Sequence, residues 1–184
     1  MTSAAAGREA AFRRCLYLGT RNEHDATEAV FAPFTDDPLS RLTWFLAAQR
    51  SGLAAIFDSR ASDACVLSGA VVSDLVRRLD LDLLATGTTV AEVTPTGPLD
   101  ALAVDYLILG SRLGTQALRL RLFSGHASDT IPAYFRAPAL PQLWSAHCVA
   151  LDAIPPDSAR ADRIIEDVKT GFALFGHAAA AQKT

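Results

Sequence analysis

The sequence predicts an all-α fold. Apolar residues recur at helical spacing along most of the chain, while alternation of apolar and polar residues is confined to residues 88–93. Helix-start signals also stand where the periodic segments begin. A first helix is expected over residues 8–32, with Phe12, Leu16, Thr20, His24 and Glu28 every four residues along one flank. Gly19 weakens that helix without having to break it. Asp37 before Pro38 pairs an N-cap acceptor with a residue whose missing N–H costs nothing in the first turn, and opens a second helix over residues 39–57. Its inward side chains are Leu42, Phe45, Leu46, Leu53 and Ile56. A third helix fits residues 70–83, and residues 85–98, rich in Thr, Gly and Pro, form a long connection.

The fourth helix is expected over residues 98–123, with Leu102, Tyr106, Leu109, Leu113 and Leu120 apolar and Gly110 and Gly114 in its middle. A loop over 124–131 leads to a segment over 138–153. The last helix, capped by Asp157 or Ser158, carries Ile164, Ile165, Val168, Phe172 and Phe175 on its inner face. A chain of 184 residues suits one well-buried core, since domains commonly run to roughly 100–150 residues. Residues 1–184 are therefore read as one domain, with flexible tails at about 1–7 and 178–184.

With half its residues apolar, a fifth charged and a net charge of -3, the chain offers no broad attraction for nucleic acid or anionic lipid. Cys15, Cys65 and Cys148 are odd in number and form no C-x-x-C pair, so packed, reduced thiols are expected rather than disulfides or a zinc site. The first residues lack a basic stretch followed by an apolar one, and no apolar run reaches the roughly 18 residues of a membrane span. Cytoplasmic residence and no membrane partner are the corresponding expectations.

Two glycines four apart inside a helix cost roughly 1 kcal/mol each relative to alanine, so something compensates at Gly110 and Gly114. Close helix–helix packing is one explanation. Bared backbone against a flat ligand is the other. If that ligand is haem, the iron needs an axial ligand, for which neutral imidazole is the usual choice when oxygen binds opposite. Of four histidines, His126 lies in a Gly- and Ser-containing loop, His177 near the C-terminus and His147 beside Trp144 on a helix. His24 has Glu28 one turn on, a carboxylate that can fix its tautomer. By spacing alone such a pair is more often a solvated surface pair.

Three segments carry a resemblance: Thr20-Arg21-Asn22-Glu23-His24 with Glu28, Leu109-Gly110-Ser111-Arg112-Leu113-Gly114, and Arg163 through Phe172. In order and separation they resemble landmarks of the haem oxygenases, and the Gly-Ser-x-Leu-Gly form is more like the bacterial biliverdin-producing members. The resemblance implies a multi-helical domain with haem sandwiched between a proximal helix and a kinked distal one. It implies His24 as proximal iron ligand, Glu28 as its hydrogen-bond partner, and Gly110, Ser111 and Gly114 as the distal wall. It implies oxygen- and reductant-dependent opening of haem to biliverdin, carbon monoxide and ferrous iron. The electrons would come from a ferredoxin or a flavoprotein reductase, and a bacteriophytochrome is a possible recipient of the biliverdin.

The chain departs from the family pattern at several positions. Mammalian members carry an aspartate where this chain has Ser111, and many members carry a glycine where it has Thr115. Thr115 either narrows the distal pocket or donates a hydrogen bond there. A basic residue expected two turns before the histidine is Tyr17, and cations expected near the last helices fall on Pro141 and Ser145. Arg13, Tyr17 and Arg21 share the flank of His24 and are candidates to hold the haem propionates, with Arg119 behind them. Each can equally be ordinary surface charge. Arg77-Arg78 and Arg119-x-Arg121 are candidate docking charges for an electron donor, or ordinary helix arginines. The competing function is a non-catalytic haem-binding or haem-sensing protein on the same scaffold. A third is a helical contact scaffold without haem, against which the joint presence of His24, Glu28, Gly110 and Gly114 argues.

Overall fold

A computed structural model describes residues 11–62 and 66–182. Among these residues there are seven α-helices, one 3₁₀ turn and no strand: α1 Phe12–Gly19, α2 Arg21–Asp36, α3 Pro38–Asp58, α4 Gly69–Leu84, α5 Ala101–Leu122, the 3₁₀ turn Ser128–Thr130, α6 Pro141–Asp152 and α7 Ala159–Ala181. The expected tail at 1–7 and Cys65 lie outside the described residues.

The flank expected to form one helix is two. Thr20 leaves helical geometry (φ -118°, ψ 5°), and its hydroxyl donates to the Leu16 carbonyl at 2.8 Å. Gly19 just before it supplies no side chain to stiffen the turn, and α1 bends so that Phe12 and Leu16 bury fully. α2 then continues beyond the expected end at residue 32, carrying Pro33 in its interior and ending at Asp36. The start of α3 is as read: the Asp37 carboxylate accepts from the Ser40 N–H at 3.3 Å and Pro38 opens the helix. The Asp100 carboxylate caps α5 through the Leu102 N–H at 2.9 Å, and Ser158 rather than Asp157 caps α7 through the Ala161 N–H at 3.1 Å.

α3 sits at the centre, packed against α7, α4 and α2, and α7 in turn also supports α5. Two close approaches make this possible. A Cβ on Gly52 of α3 would lie 2.6 Å from Cδ1 of Phe175 on α7, and one on Gly171 of α7 would overlap the Leu107 side chain of α5. Around them runs one continuous core that includes an aromatic stack of Phe34 on Phe45, centroids 4.1 Å apart, with Phe135 alongside. Each such fully buried aromatic or aliphatic side chain stabilises the fold by about 1.5–3 kcal/mol relative to exposure.

The alternating residues 88–93 form no strand. Instead the Gln182 side chain takes the place of a neighbouring strand, its Oε1 accepting from the Ala91 N–H at 3.0 Å and its Nε2 donating to the Ala91 carbonyl at 2.9 Å. The same bonds correct the expectation of a flexible tail from residue 178. Ala178 and Ala179 are buried and the helix holds to Ala181. On α5, Leu109 is buried and Leu102 and Tyr106 pack against the core as expected, whereas Leu113 and Leu120 are exposed and Ala103, Val104, Leu107 and Ile108 complete the apolar face. No helix among the described residues is long and apolar enough to cross a membrane.

Candidate functional site

Where α2 and α5 would otherwise meet, a cavity of about 540 Å³ opens, floored by α3 and α7 and edged by Trp144 of α6. This volume falls in the range of about 300–1,000 Å³ typical of small-molecule and cofactor sites. α2 lines it with His24, Thr27, Glu28, Phe31 and Thr35, spaced three and four apart as one helix face requires. α5 lines it with Gly110, Gly114, Leu118 and Arg121, again one face, extending about 16 Å along the helix axis.

The glycines explain why the gap exists. A Cβ built on Gly110 or on Gly114 meets nothing within 4 Å. Close helix–helix packing, one of the two readings of these residues, is therefore not what they serve. Both turn bare backbone toward open space, and α2 rests on α3 and α7 rather than on this stretch of α5.

Across the gap His24 is half-exposed, with its ring edge-on to Phe172 at 5.6 Å between centroids. Its Nδ1 lies 3.5 Å from the Asp25 carboxylate and its Nε2 3.8 Å from Glu28. At 3.8 Å the Glu28 contact is too long for a hydrogen bond, and Asp25, outside the His24–Glu28 motif, stands closer. Both carboxylates are more than half exposed, so the three side chains form a solvated cluster with ligand atoms within 4.8 Å of one another. Thr27 secures the helix beside them, its hydroxyl 2.8 Å from the Glu23 carbonyl and 3.4 Å from that of Phe172.

A polar seam runs behind α5. The Tyr134 hydroxyl donates to Oε1 of Gln49 at 3.2 Å and lies 3.1 Å from the Thr115 hydroxyl. Burial pushes the Tyr134 phenol up, against the opposing pull of Thr115 and Arg112. Gln49 and Thr115 line the cavity, and with its oxygen engaged by Tyr134 the Gln49 amide has its N–H₂ group to offer. The hydroxyls of Ser111 and Thr115 turn back onto their own helix, to the Ile108 carbonyl at 2.9 Å and the Ser111 carbonyl at 2.8 Å. Gln49 and Tyr134 belong to none of the sequence motifs, and only tertiary packing brings them to the site. Arg112, between the two glycines in sequence, is buried and donates to the Ala137 and Pro138 carbonyls, fixing the segment that carries Tyr134. Tyr106 completes the wall near α6. Burial raises its phenol, and a hydrogen bond with Thr20 at the α1–α2 bend partly offsets that.

The other expected site residues are not brought here. Arg13 turns to Asp152 of α6 (3.6 Å), Arg21 pairs with Asp25 (3.6 Å), and Tyr17 is half-exposed; none of the three lines the cavity. Nor does Arg119, whereas Arg121 does. Arg77 and Arg78 both bind Asp74 at 2.6 Å, which neutralises much of that pair as a docking charge. His126 and His177 are exposed, and His147 is fully buried between Tyr106 and Trp144. In sum, the cavity offers a long apolar slot, an imidazole flanked by carboxylates on one wall, bare backbone on the opposite wall and one amide donor. Comparison of the chain with family models, with curated proteins and with solved structures finds no match.

Proposed function

We propose that this cavity binds haem with His24 as the axial ligand, and that the protein is a haem oxygenase. The observation that carries the reading is the open space in front of Gly110 and Gly114, directly across a 540 Å³ apolar slot from a half-exposed imidazole. These two helix glycines carry a stability cost with no packing return, and unlike Gly176, which also meets nothing, both lie on the wall of the cavity.

The residues present fit such a ligand. His24 would ligate the iron through one ring nitrogen, with Asp25 or Glu28 orienting the ring through the other. Phe31, Phe45, Phe172 and Trp144 exclude water from the faces of a macrocycle. The glycine backbone leaves room beside the ring for oxygen, and the Gln49 amide provides a neutral donor on the interior side. Bound haem, at once substrate and cofactor, would supply the oxygen chemistry; the chain would supply orientation and apolar walls, and an external donor the electrons.

Purified protein given haem, oxygen and ascorbate or reduced ferredoxin should lose the Soret band and release biliverdin and ferrous iron. A Soret band that persists without product overturns the oxygenase reading. It leaves the second one, haem binding without turnover, which the inward-turned hydroxyls of Ser111 and Thr115 favour because they leave so few donors to hold distal water. His24→Ala should abolish the axial-ligand signature in the resonance Raman spectrum under either reading.

A further inference from the structure

The charges around the slot point to how a ligand is oriented within it. Two formally charged side chains line the cavity, Glu28 on α2 and Arg121 in the last turn of α5. Helix dipoles favour cations in a last turn, which accounts for both Arg119 and Arg121 being there but not for Arg121 facing the slot. The arginines near His24 are committed elsewhere: Arg13 to Asp152 and Arg21 to Asp25. Arg121 has no carboxylate partner among the described residues, and unlike Arg14, Arg41, Arg119 and Arg136, which also have none, it lines the cavity. Next to it the lining is apolar, with Leu118 one turn earlier.

We propose that Arg121 is the anchor for a ligand carboxylate, so that the cavity takes a planar apolar molecule with its acidic edge at the C-terminal end of α5. This rests on the haem reading, where the carboxylates are the propionates, and it sets which way the macrocycle is turned in its plane. Glu28 reinforces the choice, since a carboxylate near it meets like charge. A guanidinium suits the task because its planar fork binds a carboxylate through two parallel hydrogen bonds.

The test compares haem with its dimethyl ester, by absorbance titration and by quenching of tryptophan fluorescence, in wild type, Arg121→Gln, Arg121→Lys and Arg119→Gln. Wild type should bind the ester about tenfold more weakly than haem, the scale of one charge-assisted hydrogen bond. Arg121→Gln should bind both forms with the affinity wild type shows for the ester, Arg121→Lys should recover part of the difference, and Arg119→Gln should behave as wild type. Equal haem-to-ester ratios in wild type and Arg121→Gln overturn the anchor while leaving the haem reading intact. Failure of wild type to bind either compound overturns both.

Discussion

Four helix glycines in this molecule do opposite jobs. Gly52 and Gly171 sit where helices touch, and any side chain there would strike Phe175 or Leu107, both buried. Gly110 and Gly114 sit where helices stay apart, with empty space before them. The first pair creates contact and the second preserves a gap, although all four look alike in the sequence. Only the fold distinguishes a helix glycine that admits a neighbouring helix from one that fronts open space.

The contrast can be broken by substitution. Gly171→Ala should have the largest effect, destabilising by about 1–3 kcal/mol through overpacking against Leu107. Thermal unfolding should show a fall of roughly 2–4 °C per kcal/mol. Gly114→Leu should leave the fold intact and remove haem binding in an absorbance titration; unimpaired binding would place the ligand elsewhere. Gly110→Ala and Gly114→Ala should raise the stability of the ligand-free protein, by up to about 1 kcal/mol each, since alanine is the better helix former and meets no clash. A loss of stability at either site would mean that the gap is closed in solution.

A further prediction concerns pH. His147 is fully buried with neither ring nitrogen hydrogen-bonded, and burial pushes its pKa below the usual value, against the nearby Asp105 carboxylate. The folded state thus binds its proton less readily than the unfolded one. Stability should fall as pH drops below about 6.5, the unfolded imidazole value, and the loss should continue down to the folded pKa. His147→Leu should flatten that part of the urea-denaturation profile. An unchanged slope would mean that His147 titrates normally. The smallest effect belongs to Arg13→Gln, whose partner Asp152 lies on α6 outside the cavity lining; haem affinity should be unchanged.

Much of the helical framework was legible because local rules govern it. The Asp37-Pro38 start, the Ser158 cap and the apolar period of α3 each depend on neighbours within a turn or two. Less legible was whatever depends on tertiary contact. The bend at Thr20 is set by burial of Phe12 and Leu16, and the ordered end of α7 by Gln182 reaching a residue 91 positions away. At the site, the face shared by His24 and Glu28 and the face shared by Gly110 and Gly114 were both readable as helical spacing. Gln49, Tyr134 and Arg121 were not singled out for the cavity, because what matters about them is which partner they have or lack.

The bend at Thr20 has a consequence for how anything enters the slot. α2 contributes a single buried residue, Phe34, whereas α3 beneath it contributes ten. A helix that buries so little, bounded by breaks at Thr20 and Asp37, is expected to open at lower free energy than the core. Its amides should exchange with deuterium well before those of α3, and a ligand bridging α2 to α5 should slow them most.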